Sequence, residues 1–239
     1  MDFGRAIQAT GYTPLRTYRL ERKCQVEDLS VAQILSIIKL HPKFFYSPYP
    51  PRYVNNLYLD TKDLEHYFAN VHGYPDRRKV RIRWYGDVFG EISQPVLEIK
   101  VKQGAIGMKQ AYPLAPLNIN ESLCDNIIKQ TMEKSGLPEL ISLDIRDMEL
   151  VLLNRYYRYY YASRDGDFRV TVDTQLSYFK ANCAFGNAFL HSQKSYSQVI
   201  VEIKYAREQE GSAHRVIAYF PFRMTRSSKY VQGVERVYF

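Results

Sequence analysis

Cysteine is scarce in this 239-residue chain, and long apolar runs are missing from it. The three cysteines, Cys24, Cys124 and Cys183, are odd in number and follow no metal-ligand spacing, so they predict reduced thiols rather than a disulfide framework or a zinc site. No stretch approaches the roughly 20 apolar residues that cross a bilayer, and the first residues lack the apolar core of a secretory signal. We therefore expect a cytoplasmic protein without an intrinsic membrane segment.

Internal repeats, low-complexity tracts and Gly/Ser-rich linkers are also missing. Hydrophobic residues make up 46% of the chain and charged residues 24%, which is typical of a soluble globular protein. Because β-barrels of about 200–250 residues commonly form one domain, we expect residues 1–239 to form a single domain. The five histidines show no paired ligand spacing and are predicted to lie at the surface.

Positive charge is in excess, with 33 Lys and Arg against 25 Asp and Glu and a formal net charge of +8. Such a chain attracts polyanions, and charge alone leaves nucleic acid, anionic lipid, nucleotides and phosphate chains open. Tyr156–Tyr161 interleaves aromatic rings with Arg158, as base-stacking proteins do. No recognisable nucleic-acid-binding signature accompanies it, so we expect no nucleic-acid partner.

Strand patterns dominate the rest of the chain, with β-branched and aromatic runs of strand length. The predicted strands are Tyr18–Val26, Asn55–Asp60, Arg78–Tyr85, Val96–Lys102, Leu150–Tyr161, Phe168–Asp173 and Val199–Tyr205. The predicted helices are Ser30–Leu40, Lys62–Val71, Glu121–Ser135 and a last one from about Ser228. Without a regular βαβ rhythm, this pattern favours a mostly antiparallel α+β fold.

Charge alternates along these strands, and residues two apart share one face of a strand. In Arg78–Tyr85, for example, Lys79, Arg81 and Arg83 oppose Val80, Ile82 and Trp84. A solvated face is the ordinary explanation for any one strand, but six strands with the same parity favour a shared cationic surface. That face carries ten basic residues, which are Arg19, Lys23, Lys79, Arg81, Arg83, Lys100, Lys102, Arg158, Arg169 and Lys204. It carries four acidic ones, which are Glu21, Glu98, Asp173 and Glu202.

Cations that converge in this way need an anionic ligand, because neighbouring unit charges repel by about 1 to 4 kcal/mol at about 4 Å. Charge-assisted hydrogen bonds to phosphate oxygens offset that repulsion, so a row of Arg and Lys suits a chain of phosphates. Glu202 or Glu21 is suited to hold Mg²⁺ or Mn²⁺, which prefer oxygen ligands and bridge phosphates.

Eight short motifs, in order, give the chain a family resemblance. The sequence resembles the polyphosphate polymerase domain of the vacuolar transporter chaperone (VTC) type, within the triphosphate tunnel metalloenzyme fold. The motifs are Tyr18–Lys23 (YRLERK), Leu57–Tyr67 (LYLDTKDLEHY), Lys79–Gly86 (KVRIRWYG), Leu97–Lys100 (LEIK), Tyr156–Arg158 (YYR), Arg169–Asp173 (RVTVD), Val201–Tyr205 (VEIKY) and Ser228–Tyr230 (SKY).

The resemblance implies an eight-stranded antiparallel β-barrel, or triphosphate tunnel, with surrounding helices. It implies phosphate binding by Lys23, Arg81, Arg83, Lys100, Lys109, Arg158, Arg169, Lys204, Ser228 and Lys229. Among these, the residues implied to act in catalysis are Arg81, Arg83, Lys100, Arg158 and Lys229. It also implies a metal ion, Mn²⁺ or Mg²⁺, on Glu202, and Glu21 is the second carboxylate that we assign to it.

The implied reaction is transfer of the ATP γ-phosphoryl group to a growing polyphosphate chain, with release of ADP. The expected partners are ATP and inorganic polyphosphate, pyrophosphate or triphosphate. Two alternatives stay open: a tunnel triphosphatase that uses water as acceptor, and a non-catalytic polyphosphate- or polyanion-binding module.

Three departures bear on these expectations. The related tunnel triphosphatases and cyclases are expected to begin with a Glu-x-Glu-x-Lys motif. This chain has Arg19 where the first Glu of that motif would stand, which favours the polymerase branch. Asn70 stands where relatives carry a basic residue, and Arg77 or Arg78 is the candidate substitute. These 239 residues show no counterpart of the sensing and membrane domains of eukaryotic relatives, so regulation and export cannot be assumed. Association with a separate membrane protein and the oligomeric state also stay open.

Overall fold

Eleven strands and six helices are present in the part of the chain that the computed structural model describes, which is residues 19–103, 106–120, 123–181, 192–195 and 198–239. Tyr18, Glu121, Cys183 and His191, which the sequence analysis discussed, lie outside these ranges. Cys24 and Cys124 lie within them and are unpaired, as predicted.

The strands, in chain order, are β1 (Arg19–Val26), β2 (Arg52–Asp60), β3 (Asp76–Tyr85), β4 (Gly90–Ile92), β5 (Val96–Gln103), β6 (Ile106–Pro113), β7 (Leu117–Ile119), β8 (Glu149–Ala162), β9 (Phe168–Lys180), β10 (Ser192–Ser195) and β11 (Val199–Ala206). The helices are α1 (Val31–Lys39), α2 (Glu65–Val71), α3 (Asp125–Lys134), α4 (Glu139–Ile145), α5 (Glu210–Ala218) and α6 (Lys229–Tyr238), with a 3₁₀ turn at Arg207–Gln209.

Eight strands form one curled antiparallel sheet in the order β1-β11-β9-β8-β2-β3-β5-β6. β10 pairs with β9 beside this path, and β4 pairs with β7 separately. Lys100 on β5 lies 3.8 Å from Glu21 on β1, so side chains meet across the sheet although these strands stand near opposite ends of the path. The predicted α+β class and the eight-stranded antiparallel arrangement are confirmed, with the sheet forming a half-barrel that has a concave face.

The convex face of the sheet carries the apolar side of the alternating strands. On β2, β3, β5 and β8 it packs against α3 and α4, with Trp84 and Leu97 in that cluster. On β1, β9 and β11 it packs against α1 and α5, around Ile34 and Val216. Arg22, which interrupts the apolar side of β1, reaches Glu210 at 2.9 Å. Burial of the apolar side chains leaves the charged ones on the concave face.

Helix α6 lies against the concave face. Its Tyr230 stacks on Tyr58 of β2 with ring centroids 4.9 Å apart, and Tyr230 and Val234 share a buried cluster with Tyr156 and Leu152. This packing places the first turn of α6 beside the charged side chains of the sheet.

Asp60, fully buried at the end of β2, fixes two helices at once. Its carboxylate accepts the backbone N–H groups of His66 and Tyr67, each at 2.9 Å, in the first turn of α2. It also accepts the hydroxyl of Tyr230 on α6. A buried carboxylate needs such donors, so Asp60 ties the start of α2 to α6.

The free edge of β1 is covered by the segment that leads into α6. The backbone N–H of Thr225 donates to the Lys23 carbonyl at 2.8 Å, and the Gln25 N–H donates to the Thr225 hydroxyl at 3.0 Å. Cys24 and Met224 form the bridge between the two segments. Covering an edge strand in this way blocks pairing with another chain.

All seven predicted strands are present, although β9 continues beyond Asp173 to Lys180. The predictions missed β6, whose glycine and mixed polarity hide any alternation, and the short strands β4, β7 and β10. They also missed two helices, the short α4 after Pro138 and α5. The surface prediction is wrong for His41, which is buried and stacks on Phe220 at 4.7 Å. Its environment is apolar, and its ring Nε2 contacts the Val216 carbonyl at 2.9 Å.

Close packing of α6 on the sheet predicts that Gly233→Ala destabilises the protein. A Cβ at Gly233 would lie 2.7 Å from the Tyr178 ring and closer still to Leu152. We expect the free energy of unfolding, measured by urea denaturation, to fall by about 1–3 kcal/mol. Gly211→Ala in α5 is the matched control, because a Cβ there meets nothing within 4 Å and alanine favours helix. Equal stability of the two variants would contradict the close contact.

Candidate functional site

The concave face gathers the charged side chains that strand parity predicted to share a surface. Twelve basic residues belong to it: Arg19, Lys23, Lys79, Arg81, Arg83, Lys100, Lys102, Lys109, Arg158, Arg169 and Lys204 from the strands, and Lys229 from α6. Four carboxylates accompany them: Glu21, Glu98, Asp173 and Glu202. Each carboxylate is therefore shared among several cations.

Glu202, in the middle of β11, lies at the centre of one ion-pair network. Its carboxylate is 2.9 Å from Lys204 Nζ, 3.3 Å from Lys23 Nζ and 3.7 Å from the Arg158 guanidinium. Lys229, from the first turn of α6, lies 3.8 Å away. These four cations hold the pKa of Glu202 well below its usual range, although burial opposes its ionisation. The carboxylate is thus charged in the folded protein.

Asp173 on β9 extends this network. It is fully buried and accepts two hydrogen bonds from Arg158, at 2.6 and 2.7 Å. Lys229 Nζ reaches the same carboxylate at 2.5 Å. The bidentate pair fixes the guanidinium plane of Arg158, and the contact with Lys229 holds that ammonium next to it.

A second network surrounds Glu98 on β5. Its carboxylate accepts the Arg81 guanidinium at 2.6 and 2.8 Å, contacts Lys109 and lies 3.5 Å from Arg83. Arg83 also donates to the side-chain carbonyl of Asn56 at 2.8 Å. Arg81 and Arg83 are thereby held side by side on β3, and the carboxylate of Glu98 contacts both of them.

A row of lysines crosses the sheet next to these networks. Lys79 on β3 pairs directly with Lys100 on β5, and Lys100 pairs directly with Lys109 on β6. Like charges opposite each other destabilise an antiparallel pair. Two such pairs in succession therefore indicate a surface that is completed by an anion.

The first turn of α6 closes on this row. Ser228 caps the helix by accepting the Val231 N–H at 3.3 Å, and its hydroxyl also receives a hydrogen bond from Lys79 Nζ at 2.8 Å. Lys23 Nζ donates to the Ser227 carbonyl at 3.1 Å. The capping serine and Lys229 thus face the same space as the lysines of the sheet.

Ionisation differs sharply among these groups. Burial, and then the positive charges of Lys23 and Lys100, lower the pKa of Lys79 from its ordinary value of 10.5 to about 7. Burial and the neighbouring Glu202 oppose the ionisation of Glu21, but Lys23 and the other surrounding lysines outweigh them and lower its pKa to about 2. The face thus combines ionised carboxylates with one lysine that titrates near neutrality.

Glu21 and Glu202 are the carboxylates best placed to hold a cation. Both contact Lys23, at 2.8 and 3.3 Å, and both lie within 3.7 Å of Lys204 Nζ. Across the described residues, no three His, Cys, Asp or Glu side chains converge as a metal-ligand cluster does. Two carboxylates are a donor set that a divalent cation such as Mg²⁺ or Mn²⁺ would accept.

A cavity of about 830 Å³ opens at one end of the concave face, where β3 begins and β5 ends. We call it the basic cavity, and its charged lining consists of Glu21, Lys23, Arg77, Arg78, Lys79, Lys100, Lys102, Arg226 and Glu235. Asn70 and Arg77 line it together, so Arg77 is placed to supply the basic group that Asn70 lacks. Arg78 also borders the cavity, but its guanidinium is paired with Asp144 on α4 at 2.7 Å.

The structure brings the predicted site residues together on the concave face, and Arg169 lies at its edge, directly across from Lys204 on β11. Arg169 is exposed at the beginning of β9, and among the described residues it forms no ion pair. The sequence analysis missed the neutral groups that orient the cations. Asn56 and Tyr156 bind Arg83, and the hydroxyl of Tyr58 accepts Arg81 at 3.3 Å. The parity of Asn56 and Tyr58 on β2 was the signal that could have revealed them.

Sequence comparison gives one family match. A family model described as the VTC domain matches residues 18–238. No curated protein is significantly similar to the sequence. None of the helices in the described ranges is both long and apolar enough to span a bilayer.

Solved structures share the fold at low sequence identity. One is a Hippeastrum protein named as an adenylyl cyclase whose dominant activity is that of a triphosphatase, with a TM-score of 0.51 at 14% identity over 91% of this chain and 96% of that one. Another is a protein from Pyrococcus horikoshii, with a TM-score of 0.50 at 13% identity over 92% of this chain and 99% of that one.

The lowered pKa of Lys79 predicts a pH-dependent cost in stability. Below pH 7 the ammonium is charged in both states, and only in the folded state is it buried and repelled by Lys23 and Lys100. Between pH 7 and 10.5 the unfolded chain binds more protons than the folded protein, so the cost to stability declines as the pH rises. We expect Lys79→Gln to raise the free energy of unfolding by on the order of 1 kcal/mol at pH 6–7 and by less at pH 9.

Urea denaturation at pH 6.5 and 9 measures this difference. Lys129→Gln, which removes an exposed lysine of α3, is the control and should show no such gain. A constant or growing advantage of Lys79→Gln at pH 9 would argue against a depressed pKa.

Proposed function

The chain belongs to the VTC domain family and has the triphosphate tunnel fold, and from this premise we propose that it is a metal-dependent polyphosphate polymerase. In this reaction the γ-phosphoryl group of ATP is transferred to the end of a growing phosphate chain and ADP is released. We propose a cytoplasmic location for it, as the sequence predicts.

The observation that carries the proposal is the lysine row of Lys79, Lys100 and Lys109 on neighbouring strands. A row of this kind suits a ligand that repeats its negative charge at short intervals, and a phosphate chain does so. The excess of twelve basic residues over four carboxylates on the same face supports a ligand with several charges rather than one.

The cations would act by positioning phosphates and neutralising charge. Arg81, Arg83, Lys100, Arg158 and Lys229 surround the centre of the concave face and are the residues that we assign to the transferred phosphoryl group. We assign the remaining phosphate contacts to Lys23, Lys109, Arg169, Lys204 and Ser228. Phosphoryl transfer depends mainly on alignment and charge stabilisation, so a site without a protein nucleophile is sufficient for it.

The side chains of these cations are already oriented before substrate binds. Asp173 holds Arg158 in a bidentate pair through both carboxylate oxygens, and one oxygen of Glu98 accepts two hydrogen bonds from Arg81. Side chains that are fixed before substrate binds lose little conformational entropy on binding. When phosphates bind, the shared carboxylates keep the guanidinium planes aligned while the remaining donors turn to the ligand.

Glu202, with Glu21 beside it, is the residue pair that would hold the divalent ion. Such an ion would supply positive charge that stabilises the charge developing on the phosphate oxygens. Glu202 then has two tasks, because it also anchors Lys23 and Lys204. Mn²⁺ and Mg²⁺ both suit carboxylate and phosphate oxygens.

A triphosphatase is the second candidate function, because the same cations would align a triphosphate for attack by water. The named activity of the Hippeastrum protein favours it. In a triphosphatase, an extra carboxylate at the position of Arg19 would suit a second contact with the metal. Arg19 on β1 provides a cation there instead, which favours the polymerase. A non-catalytic polyanion-binding module would use the same cations without turnover.

The test is incubation of the purified chain with ATP and Mn²⁺ or Mg²⁺, with the products resolved by gel electrophoresis and ADP measured in parallel. A polymerase gives long phosphate chains together with ADP. Orthophosphate without chains supports the triphosphatase, and the absence of turnover with either metal supports the binding module.

Glu202→Gln tests the metal assignment. We expect turnover to fall by at least about 100-fold, since the amide lacks the charge that holds the ion. Thermal unfolding should confirm that the variant is folded. Glu235→Gln, which removes an exposed carboxylate from the rim of the basic cavity, is the matched control and should retain activity. Retained turnover in Glu202→Gln would refute this role.

A further inference from the structure

An arginine and a set of tyrosines lie at the end of the concave face opposite the basic cavity. Arg52, Tyr85 and Tyr160 stand at the matching ends of β2, β3 and β8, and we call these residues, with Tyr49, the aromatic cluster. The strand β3 spans the whole distance, because Lys79 borders the cavity and Tyr85 lies six residues further along the same face, about 20 Å away.

The side chains of the cluster are stacked on one another. The guanidinium carbon of Arg52 lies 3.8 Å from the centre of the Tyr85 ring and 5.3 Å from that of Tyr160. Arg52 Nε also donates to the Tyr160 hydroxyl at 3.3 Å. Tyr49 meets the Tyr160 ring edge to face at 5.9 Å. The cluster therefore offers flat surfaces that are held in place before any ligand arrives.

These flat surfaces are open to solvent. Tyr85 is 49% exposed and Tyr49 is 59% exposed, which is unusual for large aromatic rings held in an ordered arrangement. Arg52 is also exposed, and no carboxylate is paired with it among the described residues. Packing against the protein core therefore does not account for the cluster.

The opposite end of the face has different chemistry. The described lining of the basic cavity contains lysines, arginines, two glutamates and aliphatic or small polar residues, and no aromatic ring. Phosphates suit that end, whereas the aromatic cluster suits a planar ligand. The difference gives the two ends of the tunnel separate ligand preferences.

The aromatic cluster lies close to the arginines that we assign to phosphate binding. Tyr160 follows Arg158 by two residues on β8, and Tyr85 follows Arg83 by two residues on β3, which corresponds to about 7 Å along each strand. A ribose with the phosphate attached to it spans a gap of this order. A nucleotide whose α-phosphate lies at these arginines, with its β- and γ-phosphates further along the face, would thus place its base at the cluster.

We propose that Arg52, Tyr85 and Tyr160 form a platform that stacks the nucleobase of a nucleoside triphosphate at this end of the tunnel. The inference rests on the proposed function, because that function determines the direction in which the phosphates of the nucleotide point. Aromatic rings and the arginine plane bind the base through its face, so they do not distinguish one base from another. The platform therefore favours nucleotides over inorganic triphosphate and tolerates different bases.

Binding is measured by isothermal titration calorimetry of the 239-residue chain with two probes, β,γ-imido-ATP and inorganic triphosphate, in the same Mg²⁺ buffer. We expect Tyr85→Ala and Tyr160→Ala each to weaken binding of the ATP analogue by about tenfold or more, as removal of a stacking ring does. Their affinity for inorganic triphosphate should stay within about twofold of the unchanged protein.

Two controls separate stacking from other effects. Tyr160→Phe keeps the ring and loses only the hydroxyl, so it should bind the ATP analogue nearly as well as the unchanged protein. Tyr219→Ala removes a tyrosine that is 62% exposed at the end of α5, away from the strands of the cluster, and should change neither affinity. Thermal unfolding checks that each variant is folded.

Two outcomes would overturn the platform. One is unchanged affinity for the ATP analogue in both alanine variants, and the other is an equal loss for the analogue and for inorganic triphosphate. These results are independent of turnover, so the platform stands if no phosphate chains are formed but the selective loss is seen. Conversely, chain formation by variants that bind both probes normally would leave the proposed function in place without the platform.

Discussion

Repulsion among the cations on the concave face is the constraint on which the rest of the structure depends. Twelve basic side chains face four carboxylates, and neighbouring unit charges repel by about 1 to 4 kcal/mol at about 4 Å. The protein tolerates this because each carboxylate serves several partners at once, as Glu202 serves four and Glu98 serves three. This sharing orients the cations but leaves net positive charge, which an anion of repeated charge can neutralise.

The packing of helices on the convex face and the anchoring of α6 both keep the cations together on the concave face. The apolar side of each strand is buried under helices, which forces the charged side inward, and curvature then brings β1 and β5 within reach of each other. Asp60 is the residue that anchors α2 and α6 to the sheet by hydrogen bonds. It is buried and acidic, yet it contacts neither network, because its donors come from Thr61, from α2 and from Tyr230.

Much of this could be predicted from the sequence, because the side-chain period of a strand is two and local. Lys79, Arg81 and Arg83 therefore identified their shared face without any tertiary information. The curl of the sheet could not be predicted in that way, since it depends on contacts such as Lys100 with Glu21, which are distant in the chain. Lys109 was found only by resemblance, because β6 lacks clear alternation, and the pairing of Arg78 with Asp144 required α4, which the sequence did not reveal.

The link between Asp60 and Tyr230 spans 170 positions of sequence, and it has a consequence for the order of events during synthesis. Every strand of the sheet is translated before Met224, so the whole sheet is synthesised before α6. At that stage β1 has an uncovered edge, and the cations lack both Ser228 and Lys229. An exposed strand edge invites pairing with other chains. The last helix thus completes the anion site and protects the nascent sheet in a single step.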